Sequence, residues 1–326
     1  MDSNKQIRNI GNTIEIHYCF NDTTHSMDAF VLNKCNYEAI NIIKEVARLL
    51  SVEIVVETEP FGEGGLRTWF KVLAKEEKKK AIILTAVISS LCTTLLVTPI
   101  TKITETVIEK IFEDGELKDL EKEKLQLEIE KLKQEINQDK ENIDNNIAIR
   151  KRKSNFYDTL NNYPKITEVQ FISKDENKQI TYTDQTVQKS DFNKFILVTD
   201  DLEPLETEDA VIEIISPVLK KGNYKWRGIY DGEPIEFSML SNEFKTSIQN
   251  GIIEFKNGFS INSALKIKRK VDNEGNVKCR GYEVIRVNSY FLNDNPIETA
   301  EGRKYRKQKE AEKSQTSLFD LEDFEK

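Results

Sequence analysis

Histidine is nearly missing from this chain, with two among 326 residues, and the four cysteines (Cys19, Cys35, Cys92 and Cys279) form no CxxC pair. So few imidazoles and such scattered thiols leave a zinc site short of ligands, and no metal or other cofactor is expected. Free thiols of this kind fit a reducing compartment, so the soluble mass is expected in the cytoplasm. No apolar run follows MDSNKQIRN at the start, which is therefore not expected to be a signal peptide. GxSxG, GxGxxG and GK[ST] are all absent, which removes the common signatures of serine hydrolysis, dinucleotide binding and P-loop chemistry. A non-enzymatic role is expected. The most informative absence is of charge: none occurs from Ala81 to Thr101, in a chain that is 32% charged.

What is present suggests two or three domains, since one core rarely serves this length. The net charge of -8 is uneven. The acidic run at Asp200, Asp201 and Glu203 stands apart from the basic runs Arg150–Lys153 and Lys266–Lys270, so local patches matter more than the total. The fold class predicted is α+β. Residues 1–75 read as a small α/β domain, with strands at 13–20 and 52–57 flanking a helix at 36–50. Leu66–Leu73 suits a strand or a short helix. His25 and Ser26 with Asp28, and Glu63 in a glycine-rich turn, could suggest hydrolysis. With no accompanying signature, a loop-ordering role for His25 and turn positions for the glycines are favoured.

Residues 76–112 form the predicted membrane region. A bilayer's hydrocarbon core takes about 20 apolar residues, and the uncharged run meets that length, bordered by Lys78, Lys79 and Lys80. The competing reading is a buried core helix, disfavoured because such helices normally carry a polar face. Thr85, Ser89, Ser90, Thr93 and Thr94 put hydroxyls on one broad side, which suits close helix packing in a homo-oligomer or the lining of a pore. Pro99 and the amphipathic stripe Ile100, Ile103, Val107, Ile108 and Ile111 argue against a plain single crossing. Residues 113–153 read as a helical connector. Leu125, Ile129, Leu132 and Ile136 give it a short coiled-coil seam, continued at Ile143; a solvated single helix fits equally well. Its closing Arg150–Lys153 run suits anionic headgroups or nucleic acid.

From residue 154 to 298 the period switches from 3.6 to 2, and a β-rich barrel or sandwich is predicted, with a hairpin turn at Asp231-Gly232 and a helix near 242–250. Aromatic and basic residues interleave on its strands. Lys220, Lys221, Tyr224, Lys225, Trp226, Arg227 and Tyr230 lie close together, Lys266, Lys268 and Arg269 lie on another strand, and Tyr282 and Arg286 lie on a third. Bases stack on exposed aromatics while lysine and arginine take phosphates, so this surface suits a single-stranded DNA oligomer or a nucleotide ligand. The ordinary alternative makes Trp226 a core residue and the lysines a solvated strand face. Residues 299–326 are a charged tail, helical or disordered. Within it, Gln315-Thr316-Ser317-Leu318-Phe319 resembles the short motif by which bacterial proteins dock on the polymerase sliding clamp. The alternative is a closing segment that docks on the protein itself.

This order of parts resembles that of membrane channel-type effector subunits of bacterial anti-phage defence, such as the nucleic-acid-controlled effectors of Hailong-like systems. The resemblance lies in layout. It implies a homo-oligomer, tetrameric assembly included, at the cell inner membrane with its soluble domains mostly cytoplasmic, acting as an ion channel or pore. It also implies a nucleotidyltransferase partner and control by a nucleotide or oligonucleotide. The second expectation is a cytoplasmic, DNA-associated adaptor docking on the sliding clamp through its tail.

Overall fold

The computed structural model describes residues 11–23, 25–59, 65–99, 146–220, 222, 224–256, 258–292 and 295–322. The chain divides into two compact units, one comprising residues up to Thr199 with Val271–Asn276, the other Asp200–Lys270 with Val277–Lys326. The fold is mixed α+β, and the β-rich part contains a five-stranded barrel.

The first unit is a five-stranded antiparallel sheet in the order β2-β3-β1-β4-β5. Its strands are β1 (Thr13–Phe20), β2 (Ile54–Thr58), β3 (Leu66–Ala74), β4 (Ile166–Lys174) and β5 (Ile180–Gln188). Alternation along β1 explains its two faces. Ile14, Ile16 and Tyr18 enter the core, and Glu15 lies on the opposite side. Glu15 is nonetheless fully buried, paired with Arg67 and Lys174, while Lys174 and Lys178 cover the Trp69 ring.

Among the described residues, three α-helices, α1 (Ala29–Leu49), α2 (Lys78–Val97) and α3 (Ile147–Asn161), and a 3-10 helix at Lys189–Phe195 complete this unit. Asp28 starts α1 by accepting from the backbone N–H groups of Phe30 and Val31, a standard N-cap arrangement. The charge-free stretch supplies α2 from Ala81 to its end at Val97. It is long and apolar enough to cross a membrane, and 72% of Lys80–Val97 is buried within the unit. Ile83, Val87, Ile88, Leu91 and Leu95 join the same core as the sheet and α1. Pro99 follows the helix, as a residue without an N–H cannot continue it.

The sequence boundary at residue 154 does not coincide with the structural one. Hairpin β4–β5 belongs to the first unit because β4 pairs along β1, from Thr13 opposite Lys174 to Phe20 opposite Ile166. Local periodicity marks a strand but not its partner. The Arg150–Lys153 run also departs from expectation, since Lys151, Arg152 and Lys153 are buried. Arg152 donates to Glu38 at 3.1 Å and lies over Tyr37. The predicted coiled-coil seam, Pro99's following stripe and Glu63 lie outside the described residues.

The second unit is built on β6 (Asp201–Ser216), β7 (Trp226–Tyr230), β8 (Glu233–Met239), β9 (Ser260–Val271), β10 (Val277–Leu292) and β11 (Asn295–Glu298). The barrel runs β6-β7-β8-β10-β9 and back to β6, with β11 added on β10. β8 and β10 are parallel, and β6 is antiparallel to both β7 and β9. Asp231 and Gly232 both have positive φ in the β7–β8 turn, the backbone that a two-residue hairpin loop requires. Helix α4 (Asn242–Gln249) lies between β8 and β9 and sends Phe244 and Ile248 into the barrel core beside Trp226, Phe237 and Phe259. Gly228 permits close strand approach, since a Cβ there would sit 2.6 Å from the Glu213 carbonyl oxygen. Helix α5 (Ala300–Glu322) packs on β10.

Burial sorts the thiols. Desolvation pushes the Cys35 thiol up to about 12, whereas Cys279 is exposed. At about pH 8, near an ordinary thiol's pKa, iodoacetamide should modify Cys279 and spare Cys35 in the folded protein. Mass spectrometry checks this, and rapid native labelling of Cys35 would contradict the packing of α1.

Candidate ligand-binding cleft of the barrel

The first half of β6, the end of β9 paired with it and the start of β10 form one side of a surface cleft of about 460 Å³. Four cations line it, Lys225, Lys268, Arg269 and Arg280, against two carboxylates, Asp201 and Glu283. Strand register brings these together. Asp201 stands opposite Lys270 and Leu202 opposite Arg269, while the β8–β10 pairing sets Tyr282 opposite Phe237.

The cations differ in how they are held. Arg280 Nη1 donates to both Asp201 carboxylate oxygens at 2.8 Å. Lys268 Nζ reaches Glu283 at 2.6 Å, and Arg269 donates through Nε and Nη2 to the Glu203 carbonyl oxygen. Lys225 makes no ion pair or side-chain hydrogen bond among the described residues, so it offers an uncommitted positive charge at the cleft. Tyr282 adds an aromatic wall, with its ring edge-on to Tyr230 at 6.4 Å between centroids. Its hydrogen bond with Cys279, together with partial burial, raises the phenol pKa.

The sequence-selected residues separate accordingly. Lys225, Lys268, Arg269 and Tyr282 share the cleft, and Tyr230 contacts Tyr282. Tyr224 is exposed and Arg227 pairs with Glu236 on the β7–β8 hairpin. Lys220 is exposed in the connection between β6 and β7, where its carbonyl oxygen accepts from Gln249. Lys221 lies outside the described residues. Lys266 pairs with Glu206. Trp226 is 1% exposed among Phe237 and Phe244, so its ring is core and presents no face for a base. Arg286 is occupied in holding α5: its guanidinium stacks 3.4 Å from the Tyr305 ring centroid and binds Glu208. Arg280 was missed by sequence reading, although it lies two residues from Tyr282 and strand alternation puts both on one side.

The hydroxyl side of α2 turns inward. Thr85, Ser89 and Thr93 are fully buried and Thr94 nearly so, while Ser90 is half-buried. Thr85, Thr93 and Thr94 donate to carbonyl oxygens four residues back at 2.8 Å, satisfying themselves within the helix. His25 sits exposed in the loop before α1, and Asp28 is committed to capping. Gln315–Phe319 form part of α5, with the helix as the backbone conformation there. A scan against protein-family models and searches of curated proteins and solved structures find no match to this chain.

The Arg286 contacts also set a pH response. Partial burial pushes the Glu208 carboxyl up, but the Arg286 bond and neighbouring cations outweigh it, so it titrates below the usual range. A lowered carboxyl pKa stabilises the fold above the unfolded value of about 4.3, and that contribution is lost as pH falls through the folded value. Arg286→Ala at neutral pH should therefore imitate acidification of the wild type, with faster tryptic cleavage across Arg303–Lys309. Unchanged cleavage would show that this contact does not hold α5.

Proposed function

We propose that the protein is a homo-oligomeric effector at the bacterial inner membrane, gated as an ion channel or pore by a nucleotide or oligonucleotide bound to its barrel. The observation that carries this reading is the cleft, in which four cations and an aromatic wall converge on one side of a small barrel. The strand order supports it. A five-stranded barrel with a helix between its third and fourth strands and a parallel third–fifth pairing resembles the oligonucleotide- and oligosaccharide-binding barrel. In that fold, ligands lie across the second and third strands and the loops beside them. Here that region carries Lys220, Tyr224, Lys225 and Arg227. Cations of this kind take phosphates, and an exposed tyrosine offers a stacking face.

The membrane half of the reading is supported by the length and composition of α2. The place in anti-phage defence follows from the resemblance in layout. Coupling requires the ligand to bind the two states of the pore unequally, because equal binding shifts nothing.

Fluorescence anisotropy with a short labelled oligothymidylate tests the ligand half. Binding should weaken with salt by a log–log slope of about 0.7 per phosphate contacted. Lys225→Ala and Arg269→Ala should each weaken it about tenfold, as loss of a charge-assisted bond does. Asp201→Asn should tighten it by freeing Arg280. Absence of salt-dependent binding to oligonucleotide and to nucleotide alike would remove the ligand. For the pore, ion leakage from liposomes should change when the oligonucleotide is added, and liposomes that stay tight throughout would remove the channel.

A further inference from the structure

The last turn of any helix leaves carbonyl oxygens without intrahelical donors, and their partners tell what holds that end. In α2 they come largely from a distant helix. Lys153 Nζ, on α3, donates to the Leu95 carbonyl oxygen at 3.1 Å and to that of Thr98 at 2.8 Å. Tyr157, one turn further along α3, donates through its hydroxyl to the Leu96 carbonyl oxygen at 2.6 Å. Both side chains are fully buried.

A lysine with no exposed surface carries a desolvation cost that an apolar side chain would not, but removing it alone leaves the Leu95 and Thr98 carbonyl oxygens without that donor, which costs more. What the ammonium contributes is charge at the negative end of the α2 dipole and donors for its carbonyl oxygens. Those bonds exist only while α2 stays in place. If α2 leaves, Lys153 regains its hydration, so the cost of burying the charge favours the open state. The contact therefore holds α2 while it is made, and hydration of the freed ammonium offsets part of its loss on opening. The rest of α2 is apolar, and once freed its surface needs a non-aqueous environment.

We infer that α3 is a latch: Lys153 and Tyr157 keep α2 sheathed in the first unit, and their release delivers α2 to a lipid bilayer. This deepens the proposed function and rests on its membrane reading. It also gives the resting protein a way to carry a span-length apolar helix without showing it to water. The bilayer is favoured over a protein groove because α2 has the length and composition of a spanning helix.

The test uses the full chain with Tyr157→Phe, which keeps the ring packed on Phe156, Phe192 and Phe195, and with Lys153→Met, which keeps the bulk. Hydrogen exchange is followed across α2 and, as internal control, across β1 and β4. Either variant should speed exchange in the C-terminal turns of α2 by about tenfold, the equivalent of one net hydrogen bond, with β1 and β4 unchanged. Wild-type protection of α2 in both variants, or faster exchange spread equally over β1 and β4, overturns the latch. Flotation with phosphatidylglycerol-containing vesicles then separates the two ideas. The double variant should float severalfold more than wild type. If α2 opens but the protein does not float, the latch stands and the membrane reading falls.

Discussion

A helix with no charge on any side beyond its first turn must be kept from water on every side, and the first unit is shaped by that requirement. The β-sheet covers α2 through β3, β4 and β5, and α1 packs beside it. The Thr93 and Thr94 hydroxyls are satisfied within the helix, so the interior has no polar side chain of α2 to accommodate there. At its end the enclosure becomes polar, with Lys153 and Tyr157 supplying the donors that water would otherwise give. The same chemistry that would let this helix cross a bilayer therefore also makes it a fit core for a soluble body. Composition alone does not distinguish the two, because hydrocarbon and protein interior make similar demands on side chains.

The barrel solves a different problem. Its interior is filled by aromatics, Trp226, Phe237, Phe244 and Phe259, leaving long strands whose outward residues are mostly charged. Cross-strand pairing tames that surface: Lys266 with Glu206, Lys268 with Glu283 and Arg280 with Asp201. Exposed pairs of this type add little stability. For the proposed ligand their consequence would be specificity, since it must displace a carboxylate from Lys268 and from Arg280. A polyanion with several phosphates can do so where a single anion gains less.

Most elements were legible in the sequence because their periodicity is local. β1, α2, hairpin β4–β5, the Asp231-Gly232 turn and α4 stand close to where alternation and turn chemistry put them. The domain boundary was not legible, because it depends on β1 pairing with β4 across a long stretch of chain, and pairing leaves no local trace. Of the cleft, Lys225, Lys268, Arg269 and Tyr282 were readable as basic and aromatic strand residues. Trp226 and Arg286 belong to the same pattern by composition, yet one faces the barrel interior and the other is spent on Tyr305. Which side of a strand a residue serves, and what helix lands upon it, are tertiary facts. The burial of Lys153 is the extreme case, as a basic run reads as surface until its partner carbonyl oxygens are known.

The pairing of β1 with β4 has a bearing on synthesis. Translation delivers α2 well before α3, β4 and β5, the elements that cover and cap it. At roughly 5–20 residues per second, that interval lasts several seconds, during which the most apolar segment of the chain lacks part of its shelter. The nascent protein thus passes through a stage when any factor that recognises apolar helices at the ribosome competes with folding for α2. On the proposed membrane reading, whether α2 ends in the body of the first unit or in lipid would then be a contest of rates as well as of stabilities, decided first while the chain is being made.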